Sequence, residues 1–504
     1  MQNFKKILFA LIPLTYLFLL LFQKDLAMMG DLGRHLKLGE IVVKCLCVPQ
    51  TNLFSYTHPS FPIINHEWLA EVIFYLTSSW FGLNGLLILK MVLVIITASL
   101  LYFVALKKSS LFWVTIFALL STTIFSTRFH VLPELFSYLF MSGFIFLIER
   151  YKQSKRIYLL WLLPILELLW VNMHIYFIIG IGMYGLFFIE ELFRSKRLDK
   201  RLLFIGTALI SAMLLNPSFI QGALLPFMVF NNYGLSVEEN GSPFSLFAPT
   251  STNTNIAYTL ILQVIVFELL IVLFTISLFS KKQWKDIFQT GSGLFAVGLG
   301  LKFIRSISVP GVLGFIPLAQ GFTLLEQKIR KATNKYMVNT IKGAVILTVG
   351  IIIAIHAKGL FYYKILSFSF VPSSENAVSF IVQSGVHGPI FNNYRIGNYL
   401  IFGLYPEEKI FVDARPEAYP ASFFDDYWRM MADEQFFNQQ VKKYNINSVV
   451  FNVDDDPVKI RPFLLRLLNS KEWVPVYADG LVTILLRDNE KNKPVIEKYK
   501  ISTK

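Results

Sequence analysis

Eleven apolar runs, over 7–23, 83–106, 110–126, 135–149, 157–173, 175–193, 202–216, 256–279, 288–304, 309–326 and 340–357, fill most of the first 357 residues. Crossing a bilayer takes about 20 apolar residues in a helix. Backbone polar groups inside lipid must also be satisfied within the segment, so helices are the form such runs take. The feature excludes an ordinary soluble globule, and composition agrees. Of the 504 residues 54% are hydrophobic, and the mean hydropathy is +0.54.

The formal net charge of +14 is informative only through its placement. Lys and Arg gather at Lys5-Lys6, Lys107-Lys108, Arg150 to Arg156, Arg194 to Arg201, Lys281 to Lys285 and Lys328 to Lys335. Those are alternate connections, as the positive-inside rule requires. The expected topology therefore has a cytoplasmic N-terminus, multiple passes through the cytoplasmic (inner) membrane and an extracytoplasmic C-terminus. No basic helix or aromatic stacking module appears, so nucleic acid is not an expected partner. The first run, from Ile7 to Phe22, is long for a signal peptide and reads as an uncleaved helix. Segment 68–82, from Trp68 to Gly82, is short and rich in aromatic residues, which suits a helix lying on the outer surface. Cys45 and Cys47 are too few for a structural zinc site and too close to be an expected bridge.

Beyond Lys358 the chain turns polar. Residues 358–504 read as an extracytoplasmic α/β domain, and 1–357 as the transmembrane domain with its first outer loop at 24–82. Strand-like runs fall at Pro389–Phe391, Tyr399–Phe402, Lys409–Val412, Ser448–Phe451 and Leu481–Leu486. Helix-like segments fall at 374–384, 421–444 and 457–470.

The residues capable of chemistry sit mainly in the less basic connections. The first outer loop carries Asp31, His35, His66 and Glu67, groups able to act as general bases or to hold a divalent ion. Asp31 and His35 have helical i, i+4 spacing, and an Asp at a helix start also has a plain capping role. Arg128, His130, Asn172, His174, Asn216, Glu238 and Arg305 follow on the same expected side. Arg and His beside a bilayer can bind a lipid phosphate. Glu167 and Glu268 lie inside apolar runs, where an acid is costly.

Several stretches carry a family resemblance: Asp31-x-x-x-His35-Leu-x-x-Gly39, Pro49-x-x-Asn52-x-Phe54-Ser-Tyr-Thr, His66-Glu67-Trp68-Leu-x-Glu71, Trp170-x-Asn172-x-His174, Asn216-Pro217 and Phe411-Val-Asp413-Ala-Arg415. With the long outer loop and the outer C-terminal domain, they resemble the GT-C superfamily of membrane glycosyltransferases. More narrowly, they look like a group of bacterial membrane proteins placed near that superfamily. The chain departs from members with adjacent acids in the first loop, because Leu32 follows Asp31. The second carboxylate is then assigned to Glu67.

The resemblance implies a polytopic GT-C-like fold and transfer of a sugar from a polyprenyl-phosphate donor to a glycan, lipid or protein acceptor. It assigns Asp31 and Glu67 to catalysis and Arg128, His130 and Arg305 to the donor phosphate. His35, His66, Asn172, His174 and Glu238 would orient the acceptor. A divalent cation, Mg²⁺ or Mn²⁺, would be held by Asp31 and Glu67 or by Glu67 and His35. Two other classes compete: a transporter or flippase of a lipid-linked precursor, and a non-catalytic envelope assembly protein.

Overall fold

The computed structural model describes residues 2–228, 232–235, 237–247, 254–279, 286–332, 335–362 and 366–502. The chain forms two compact units. One holds 1–24, 87–228 and 237–369, and the other holds 25–86, 229–236 and 370–504. The first outer loop therefore belongs to the same unit as the C-terminal segment, and the division does not run at 357/358. The polar residues of that loop have buried partners far along the chain, which a boundary drawn from hydropathy cannot register.

In the first unit each apolar run coincides with helix, from Gln2–Leu21 to Lys335–Tyr362. The run 157–173 is divided into Ile157–Leu159 and Leu162–Val171, and 309–326 into Val309–Leu313 and Phe315–Ala332. Helix Phe219–Met228 was not foreseen. Among the described residues three helices are long and apolar enough to cross a membrane: Trp68–Lys108, Leu111–Arg128 and Tyr336–Phe361. A fourth arises if the pair bent by 47° around Gly314 is one span. The protein is thus a membrane protein, with fewer clear crossings than the eleven apolar runs. The basic connection 281–285 lies outside the described residues.

The second unit joins three helical segments of the loop side to a small sheet. Helix Leu32–Cys45 buries Leu32, Leu36, Leu38 and Val42. Gly33 faces helix Ile396–Leu404 so closely that a Cβ there would sit 2.9 Å from the Asn398 carbonyl oxygen. Gly39 faces the helix that begins at Trp68, where a Cβ would lie 2.1 Å from the Glu71 carbonyl oxygen. Only a residue without a side chain permits these two crossings. Segment 68–82 is helical as expected, and the helix bends at Gly82, whose φ is 67°. Cys45 and Cys47 are bridged, against expectation.

The sheet has strands β1 (Ile390–Asn392), β2 (Ser448–Asn452), β3 (Trp473–Ala478) and β4 (Val482–Arg487), in the order β1-β2-β4-β3. β1 and β2 are parallel, and the remaining pairs are antiparallel. Helices Ala421–Ala432, Glu434–Tyr444 and Pro457–Asn469 cover it through Phe391, Phe424, Tyr427, Phe437, Phe451 and Phe463, all nearly fully buried. Three readings are corrected here. Tyr399–Phe402 is helix, because a four-residue apolar run does not distinguish strand from buried helix. Lys409–Val412 makes only isolated bridges at Ile410. The segment 421–444 is two helices, since Asp433 caps the second by accepting from the Phe436 N–H at 3.0 Å. β3 and helix Lys493–Tyr499 were missed.

Candidate functional site

Five residues of the first outer loop converge in the second unit. Asp31 stands just before helix Leu32–Cys45 without capping it through its side chain. Instead, Asn398 Nδ2 donates to Asp31 Oδ1 at 2.7 Å, and the Asp31 side chain stays 42% exposed. Asn398 Oδ1 accepts from the Ala414 N–H at 3.3 Å, which fixes the amide's orientation. The carboxylate is thus held from one side and open on the other.

Behind it runs a buried chain of hydrogen bonds. Asn65 Nδ2 donates to Glu71 Oε2 at 2.7 Å. Burial raises the Glu71 pKa to about 7, and in its ionised form Oε1 accepts from His35 Nδ1–H at 2.9 Å. Nε2 then keeps the lone pair, to which an Arg34 Nη donates at 3.4 Å. Burial and the Arg34 charge push the His35 pKa down to about 4, so the ring is neutral near pH 7. Glu67 lies 3.9 Å from His35 Nε2 and 3.7 Å from His66 Nε2. Burial raises the Glu67 pKa and lowers that of His66.

Arg34 is the site's cation. It is 7% exposed, and its ion contacts are long: 3.8 Å to Asp31 and 3.9 Å to Glu71. Its Nε has no hydrogen-bond partner among the described residues. Such a guanidinium retains donors for an incoming anion.

His35, Glu67 and Glu71 each offer one ligand atom, all within 4.8 Å of one another. Ligands of one small cation sit about 2.0–2.2 Å from it and so at most ~4.4 Å apart, so the residues would hold a small divalent cation after closing in by a few tenths of an ångström. Of the pairs foreseen for it, Glu67 with His35 falls inside this set, whereas Asp31 is not part of it. Arg34 and a cation would compete for the same His35 lone pair.

A second buried cluster braces the loop against the C-terminal segment. Arg415 grips Asp413 in bidentate fashion at 2.8 and 2.7 Å, and also donates to Asn52 Oδ1 at 2.9 Å. Tyr419 donates to Asp413 Oδ2 at 3.2 Å. These residues of the resembled motif hold the architecture, because their donors and acceptors are consumed by one another.

The remaining site residues foreseen from sequence lie in the first unit. Arg128 pairs with Glu134 at 2.9 Å and Glu239 at 2.9 Å, so its charge is already matched. His130 is half-buried in the turn after it. Arg305 has a buried Nε without a hydrogen-bond partner among the described residues. Asn172 donates to the Leu168 and Leu215 carbonyls, both at 2.9 Å, and His174 bonds Ser137 at 2.8 Å, so both tie helix ends together. Asn216 likewise closes its own turn. The side chain of Glu238 lies outside the described residues. Sequence reasoning overlooked Arg34, Asn65 and Asn398 and quoted Glu71 only within a motif. The legible signal was the i, i+4 spacing of Glu67 and Glu71, which share a helix-start face.

No family model and no curated protein matches the chain. Solved structures do. The archaeal oligosaccharyltransferase AglB from Archaeoglobus fulgidus, in complex with an inhibitory peptide and a dolichol-phosphate, aligns with a TM-score of 0.65 at 9% identity. The alignment covers 95% of this chain and 74% of that one. ArnT from Cupriavidus metallidurans bound to undecaprenyl phosphate aligns with a TM-score of 0.54 at 12% identity, covering 96% and 98%. An Archaeoglobus fulgidus oligosaccharyltransferase in complex with Zn and sulfate gives 0.57 at 9% identity, covering 91% and 69%. The chain accordingly shares its fold with these AglB and ArnT structures.

Proposed function

We propose that the protein is a membrane glycosyltransferase that moves a sugar from a polyprenyl-phosphate donor to an acceptor hydroxyl on the outer side of the membrane. The observation that carries this reading is the convergence of Asp31, Arg34, His35, Glu67 and Glu71 in one unit. The lipid phosphates bound by the structural neighbours support it.

Asp31 takes the acceptor proton as the acceptor oxygen bonds to the anomeric carbon. The bond from that carbon to the phosphate oxygen breaks, and its electron pair leaves with the phosphate. Arg34 neutralises the departing charge, oriented by the neutral His35 ring, which Glu71 and Asn65 hold in place. This places Arg34 in the role first given to Arg128. Arg305 and His130 remain further candidates for the phosphate, and His66 and Glu67 for the acceptor. A Mg²⁺ or Mn²⁺ ion, when bound by His35, Glu67 and Glu71, would supply positive charge to the phosphate. The sugar donor, the acceptor and the orientation in the cytoplasmic membrane belong to this proposal.

The test uses the purified protein with a polyprenyl-phosphate sugar. Asp31→Asn keeps the shape and removes the proton acceptor, so transfer falls by ~10²–10⁴-fold, the usual contribution of a general base. Donor binding survives. Arg34→Ala instead weakens donor binding. Near-normal turnover in Asp31→Asn would move the base to Glu67.

A second reading, transport of a lipid-linked precursor, draws on Glu167 and Glu268. Both are buried, with carboxylate oxygens lacking hydrogen-bond partners among the described residues. Intramembrane acids of this kind mark proton relays. Loss of lipid translocation in a folded Glu268→Gln protein, with sugar transfer absent from the wild type, would favour that reading.

A further inference from the structure

An apolar groove of about 220 Å³ lies between helices Phe177–Ser195 and Lys200–Met213 in the first unit. Tyr184, Gly185, Phe188, Leu202, Gly206 and Ile210 line it. Two glycines open it. A Cβ at Gly185 would meet nothing within 4 Å, and one at Gly206 would reach only the Tyr184 ring, at 3.1 Å. The Tyr184 hydroxyl donates to the Leu202 carbonyl at 2.5 Å, so the wall keeps no free polar group there. From Leu202 to Ile210 the groove follows the helix for about 12 Å at ~1.5 Å per residue.

Its surroundings name the occupant. Leu203 in its lining and the adjoining Phe204 are 50% and 70% exposed, a surface suited to acyl chains and not to water. The end of the groove at Leu202 abuts the connection 194–201, which carries Arg194, Lys196, Arg197, Lys200 and Arg201 against one acid, Asp199. Arg194 pairs with Glu191 and Arg201 with Asp199. Lys196, Arg197 and Lys200 are exposed and form no ion pair among the described residues. An apolar slot ending in uncompensated cations complements a lipid with an anionic headgroup.

We propose that this helical hairpin binds one anionic phospholipid, with an acyl chain in the groove and the phosphate on Lys196, Arg197 and Lys200. The proposal rests on the membrane character of the fold and is independent of sugar transfer.

The test is native mass spectrometry of the full-length protein in detergent, titrated with phosphatidylglycerol and with phosphatidylcholine of the same chains. One phosphatidylglycerol should be retained in preference to phosphatidylcholine. The triple variant Lys196→Gln, Arg197→Gln, Lys200→Gln should abolish that preference, each charge contributing on the order of 5-fold. Gly185→Phe fills the groove from an open position, and should lower retention while the melting temperature stays unchanged. A phosphatidylglycerol with a photoreactive chain terminus should label peptides containing Tyr184 or Gly206. Equal retention of the two lipids, unaltered binding in Gly185→Phe, or labelling elsewhere would overturn the proposal. So would a shift from dimer to monomer in Gly185→Phe, which would assign the groove to a second copy of the chain.

Discussion

Glu71→Gln is a near-isosteric change that the hydrogen-bond chain cannot absorb. Glu71 accepts twice, from Asn65 Nδ2 at 2.7 Å and from His35 Nδ1 at 2.9 Å. A glutamine has one acceptor and one donor end. If its oxygen faces His35, its NH₂ faces the Asn65 NH₂. Turning Asn65 over would forfeit the bond from the Glu67 N–H to Asn65 Oδ1, at 3.3 Å. If the glutamine NH₂ faces His35 instead, the ring must move its proton to Nε2, where an Arg34 Nη already donates at 3.4 Å. In every arrangement one hydrogen bond is lost and the others no longer end on a carboxylate, about 1.5–3 kcal/mol. For a unit of this size that lowers the melting temperature by roughly 3–12 °C. Donor binding should weaken as well, because Arg34 loses its orienting partner. The double variant Glu71→Gln, Asn65→Asp restores an acceptor opposite the glutamine NH₂ and keeps the net charge. It should recover most of the loss, which thermal melting of the four proteins of the cycle measures directly. Additive losses, or a Glu71→Gln protein that melts like wild type, would refute the chain of donors and acceptors.

Three further outcomes are expected. The folded-state pKa of His35, about 4, lies below its ordinary 6.5, so its stability contribution is full above pH 6.5 and is lost as pH falls towards 4. At pH 5 the loss is about 2 kcal/mol, and metal-free wild type should show a drop in melting temperature between pH 7 and 5 that His35→Asn lacks. Arg128→Ala strands the buried Glu134, so it should destabilise by about 3–5 kcal/mol and not merely weaken donor binding, with Arg128→Ala, Glu134→Gln recovering stability in the same melts. Asp413→Ala leaves Arg415 buried and unpaired, again about 3–5 kcal/mol; protease nicking of the first outer loop near Asn52 should rise in parallel.

The membrane character, the helical runs, the first-loop acids and the α/β nature of the C-terminal segment were legible in the sequence. Hydropathy and local spacing report such features because each is decided within a few turns of chain. Tyr399–Phe402 marks the limit: the run is apolar either way, and packing against helix Leu32–Cys45 decides for helix. The site itself was a matter of tertiary structure. His35 meets Glu71 across 36 positions, Asp31 meets Asn398 across 367, and Asn52 meets Arg415 across 363. Sequence alone points to Arg128 as a phosphate ligand and passes over Arg34, though both are arginines near an acid in a non-basic connection. Folding brings Glu134 and Glu239 onto the first. It leaves the second buried with an unused donor, because its neighbours Asp31 and Glu71 are already engaged by Asn398, His35 and Asn65.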